Sequence, residues 1–231
     1  SALISVVLGV ISLFQANTWE VTSMQAQRVY WIAGILLLLL WLNRRRIILN
    51  AFQVAMICAL VLTVKAALQQ FDWYSYLPHA FLNPAALQIQ GTVLALFCLG
   101  WIALRFAVKG GLAKRPNEDS LKDAWRLLDS FSVDRLIVWL LPGAFLLLVL
   151  YGALSGVTQE LAAWGSSDPG INIASFPHQE ALGAGSWIVL GLLLLTMLAN
   201  FWEGRRRLYL LSAFTVLSAI IPLIAGQFEN Q

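Results

Sequence analysis

The chain has 231 residues, of which 59% are hydrophobic and only 12% charged, and its formal net charge is +3. Soluble domains carry about 25% charged residues, so this composition excludes an ordinary water-soluble fold and calls for a bilayer as apolar solvent. The positive balance does not point to nucleic acid, because the basic residues sit in short clusters beside apolar runs, where membrane topology accounts for them.

The first apolar run, Ala2–Phe14, is about 20 Å long as a helix, short of the roughly 30 Å hydrocarbon core. It has neither the basic flank nor the cleavage site of a secretory signal. It reads as a first span without its beginning, and the chain as a segment of a longer protein. Spans two and three follow at about 26–42 and 47–68, separated by Arg44, Arg45 and Arg46, and span four at about 89–108.

The segment Lys109–Arg135 has its own pattern. Gly110, Gly111 and Pro116 predict an irregular start. A short helix over about 120–131 then carries Leu121, Trp125, Leu128 and Phe131 on one face, with Lys122, Asp123, Arg126 and Asp129 on the others. Asp119 or Ser120 can cap it. This is the pattern of an amphipathic helix lying at the membrane surface. Ser132 is then placed to cap span five, at about 136–155. Spans six and seven follow at about 186–202 and 208–225. The predicted fold is a single all-α domain, a polytopic helical bundle of about seven spans plus one short cytoplasmic amphipathic helix.

With this count, every alternate loop is basic. Thirteen of the fifteen Lys and Arg residues fall on one side, the exceptions being Arg28 and Lys65, while the acidic residues divide six and six. Basic loops mark the cytoplasmic side and acidic residues contribute little, so the expected setting is a bacterial inner membrane with residue 231 outside. Trp19, Trp31, Trp73 and Trp187 mark the outer boundary, and Trp41, Trp125, Trp202 and Tyr209 the inner one, as amphipathic rings do at headgroup depth.

The span centres lack His, Asp and Glu, which removes axial haem ligation and carboxylate ion relays from the expected chemistry. Cys58 and Cys98 lie within apolar runs without ligand spacing. The sequence therefore leads to no catalytic, cofactor or metal assignment. The residues that remain as candidates are Asp72 and His79 in one outer loop, and Asp168, His178 and Glu180 in the other, where His beside carboxylate is general-base or metal-binding chemistry. Lys65 and Arg105 approach the membrane, and each has a stem long enough to reach the interface. Turned inward, either side chain could instead hold a phosphate or carboxylate. Gly152 and Gly156 form a GxxxG pair, and Ser212, Thr215 and Ser218 a three-residue stripe, both suited to close helix packing.

The expected partners are the lipid bilayer and other membrane protein subunits, with no nucleic acid. The leading functional expectation is a structural or accessory subunit of a larger membrane assembly. A lipid-linked glycan transferase of O-antigen ligase or polymerase type is the alternative at the level of architecture. An uncoupled transporter or channel segment is the third.

Overall fold

A computed structural model describes residues 18–71, 74, 84–114, 119–128, 133–165, 184–204, 207–218, 220–221 and 223–224. Among them every regular element is a helix: α1 (Trp19–Leu42), α2 (Arg46–Leu68), α3 (Pro84–Lys114), α4 (Asp119–Leu128), α5 (Val133–Gly165), α6 (Ala184–Gly204) and α7 (Arg207–Leu217). Five of these, α1, α2, α3, α5 and α6, are long and apolar enough to cross a membrane. α7, which covers the first part of the predicted seventh span, has 11 residues, about 16 Å of helix, and residues 220–221 and 223–224 further along that span are helical as well. The predicted first span lies outside the described residues.

The helices run further than the apolar runs do. α1 begins at Trp19, where Thr18 sits in an extended conformation and its carbonyl accepts from the Thr22 N–H and hydroxyl at 3.0 and 2.9 Å. Glu20 lies in the first turn, where the helix dipole favours an acid. The irregular start expected at Gly110 and Gly111 is not found: α3 continues through both to Lys114. Each glycine costs about 1 kcal/mol in a helix, but extending an existing helix needs no new nucleus. At its far end α5 takes in residues 156–165, which the sequence assigns to an outer loop. Pro142 lies ten residues into α5, so the backbone hydrogen bond it removes is an interior one rather than one of the first turn.

The chain divides into two compact units, residues 1–80 with 108–133, and residues 81–107 with 134–231. The first unit is built on the α1–α2 hairpin. Thr22, Ala26, Val29 and Ala33 form the buried face of α1 at the four-three-four spacing of a helical stripe. Ala26 and Val29 pack with Ala59 and Leu62 of α2, small residues that let two backbones approach. Gln53 is fully buried on α2, and its Oε1 accepts the Val133 backbone N–H at 2.9 Å. That satisfies a donor which the first turn of a helix leaves orphaned. Ser132, assigned to this capping by the sequence, lies outside the described residues.

The second unit has the larger core. Ala95 of α3, Phe145 and Val149 of α5, Val189, Leu193 and Met197 of α6, and Ala213 and Val216 of α7 are buried together. The large apolar side chains Ile47, Leu147, Trp202 and Phe214 are instead strongly exposed. An exposed apolar surface of this kind is stable against lipid tails and not against water.

One close approach in this unit gives a direct prediction. A Cβ on Gly185 would lie 2.1 Å from Gln88 Oε1, and Gln88 is buried with its Nε2 donating to Ser186 Oγ at 2.8 Å. Retreat of the glutamine would break that buried hydrogen bond. Gly185→Ala is expected to destabilise the fold by about 1–3 kcal/mol, the usual cost of overpacking, read as a lower unfolding temperature in detergent. Gly91→Ala is the control. Its Cβ would meet Val189 Cγ1 at 3.7 Å, ordinary contact, and the unfolding temperature should hold.

Candidate functional site

The second unit encloses a cluster of charges. α3 buries Ala95, Cys98, Ile102 and Arg105, residues spaced three, four and three apart and therefore on one face. Arg105 is 1% exposed. It faces Asp134 and Arg135 in the first turn of α5 and Asn200 and Glu203 in the last turns of α6. α6 prepares its side with Leu193, Thr196, Asn200 and Glu203 at the same helical spacing. Asp134 occupies a first turn, where the N-terminal dipole favours a carboxylate.

Arg105 is engaged through all three guanidinium nitrogens. Nη1 donates to Asp134 Oδ2 at 2.5 Å, Nε to the Glu203 carboxylate at 2.9 Å, and Nη2 reaches Asn200 Oδ1 at 3.4 Å. The Asn200 amide is itself oriented, because its Nδ2 donates to the Thr196 carbonyl at 2.9 Å, which leaves Oδ1 to accept from Arg105. Arg135 Nη2 adds a second cation to Glu203 Oε1 at 3.3 Å. The Asp134 and Glu203 side chains are 0% and 5% exposed. Among the described residues two guanidiniums meet two carboxylates, and these four charges are directed at one another. Planar guanidinium suits such a fork, where an ammonium would act as a point charge.

Of the two expectations for Arg105, reach to the interface and an inward turn onto a carboxylate, the structure shows the head buried and held by carboxylates of its own chain, at the ends of α5 and α6. Lys65 is also buried, in the last turn of α2, where the C-terminal dipole favours a cation. Asp72, His79, Asp168, His178 and Glu180 lie outside the described residues. Of the first outer loop, Tyr74 is described: it is buried, and burial pushes its phenol pKa up, so the hydroxyl is neutral at physiological pH. Gly152 and Gly156 fall within α5. The buried face of α7 runs through Tyr209, Ala213 and Val216, whereas Ser212 is half-buried and Ser218 exposed. Trp139 and Tyr209 stack at 5.2 Å, joining α5 to α7 beside the cluster of Cys98 and Val138.

Reading from sequence missed Asp134 and Glu203, which look like ordinary loop charges at the ends of apolar runs. The available signal was the spacing of Arg105 from Ala95 and Cys98, two small residues on the same face. No protein-family model, curated protein or solved structure matches this chain.

Proposed function

We propose that this chain is a multi-pass scaffold of the membrane, an accessory subunit of a larger membrane assembly, with its basic loops in the cytoplasm. The observation that carries this reading is the closed ionic cluster. Among the described residues of the second unit, Arg105, Asp134, Arg135 and Glu203 are paired with one another. Buried charges of a membrane protein mark function by default; here, among the described residues, they tie α3 to the first turn of α5 and the last turn of α6. The broad apolar exposure of Trp202 and Phe214 in the second unit, and of Ile47 in the first, supports lipid and partner contact. A glycan-transferase reading would rest on His79 and His178, and no observation favours it.

Affinity capture of the full chain from its own membranes, after mild cross-linking, tests the proposal. The expected result is another integral membrane protein recovered at a fixed stoichiometry. A homogeneous monomer without a partner, before and after cross-linking, overturns it.

A further inference from the structure

We propose that the first unit carries a site for a single anionic phospholipid of the cytoplasmic leaflet, seated between α1 and α4. A groove of about 610 Å³ is lined by Gly34, Leu38 and Trp41 of α1 and by Ala124 and Leu127 of α4, with Arg44 as its cationic member. The order along the chain is that of an amphiphile. Gly34 to Trp41 makes two turns of apolar wall, about 10 Å, and Arg44, Arg45 and Arg46 follow directly.

Charge decides between a lipid and an apolar partner helix. Arg44 lines the groove, and the described charged residues of the turn after α1 and of α4 are Arg44, Arg45, Arg46, Lys122 and Arg126 against Asp119 and Asp123. Lys122 is matched to Asp119 at 3.2 Å, while Arg44 and Arg126 share Asp123, each at 3.9 Å and with both partners well exposed. Pairs that long and that solvated contribute little, so Arg44 can turn to a phosphate without a large loss. An apolar helix laid in the groove would leave this cationic excess uncompensated; an anionic headgroup compensates it. α4 is amphipathic, with Leu128 buried and Asp119, Asp123 and Arg126 exposed. That places the groove at headgroup depth.

Gly34 provides a variant that blocks the groove without disturbing the fold. A Cβ there meets nothing within 4 Å, and any residue other than proline is a better helix former than glycine. Gly34→Leu therefore fills the space where the acyl chain would lie.

The inference rests on the membrane reading above, and native mass spectrometry of the full chain in detergent tests it separately. Phosphatidylglycerol and phosphatidylcholine with identical chains are titrated in parallel. The expected result is one saturable phosphatidylglycerol adduct without a phosphatidylcholine equivalent. Arg44→Gln should weaken it about fivefold, the share of one basic residue near an anionic lipid. Gly34→Leu should abolish it with the unfolding temperature unchanged. Excess inorganic phosphate should not displace it, because the chain contributes to binding. Equal binding of the two lipids, insensitivity to both variants, or full displacement by inorganic phosphate would overturn the site. So would a photo-cross-linking side chain at position 38 that captures protein rather than lipid. A chain that captures a membrane partner but shows no lipid preference contradicts this site alone, and the scaffold reading stands.

Discussion

Replacing Arg105 by methionine is expected to lower the stability of the fold by about 3–5 kcal/mol, the usual result of removing one member of a buried charge group. Methionine approximates the volume of the stem, so the loss comes from the head. Asp134 and Glu203, 0% and 5% exposed, would lose the cation they share, and among the described residues Arg135 remains, 3.3 Å from Glu203. Burying an unpaired charge is far more costly than burying a neutral group. Arg105→Lys separates charge from geometry: an ammonium keeps the charge but cannot match a fork that contacts Asp134, Glu203 and Asn200 together. It should fall between wild type and Arg105→Met. Reversible unfolding in mixed detergent micelles gives all three values. A change below about 1 kcal/mol for Arg105→Met, the range of an exposed ion pair, would mean that the charges are solvated.

Asp134→Leu is expected to have the second largest effect, again about 3–5 kcal/mol, since among the described residues it leaves Arg105 with Glu203 as its charged partner. Combining it with Arg105→Met should not double the loss. Residues that share a network couple by about 0.5–3 kcal/mol, and here the double variant leaves a self-contained Arg135–Glu203 pair. Its stability should therefore lie above the sum of the two single changes. Strict additivity would show that the two side chains do not act on each other.

How much of this could be read from the sequence differs by feature. The spans declare themselves because apolar runs bounded by basic and aromatic residues leave few alternatives. Arg44 to Arg46 end one run and begin the next, and α1 and α2 meet there as expected. Helix ends were less legible. The turns around Trp19 and the glycines at 110 and 111 are polar or weak helix formers, yet they continue the helices of the adjoining apolar runs. The inward face of each helix was hardest to see. In a soluble helix polarity marks the outside, but here the lipid-facing side chains Leu147 and Phe214 are as apolar as the buried Phe145 and Val216. Small residues and the rare polar ones carry the remaining signal, as Ala95, Cys98 and Arg105 do on α3 and Thr196, Asn200 and Glu203 on α6. The partners of Arg105 come from residues 29 and 98 positions away, a pairing that local spacing does not encode.

The scaffold account makes the ionic cluster structural, so its chemistry should be replaceable as a whole. The most direct measurement is partner capture by a chain in which Arg105 and Arg135 become Met while Asp134 and Glu203 become Leu. Exchanging a buried charge group for apolar residues of similar volume is often neutral or stabilising, so this chain should remain folded. The predicted result is recovery of the same membrane partner at the same stoichiometry as wild type. Loss of the partner by a variant that unfolds no earlier than wild type would contradict the account.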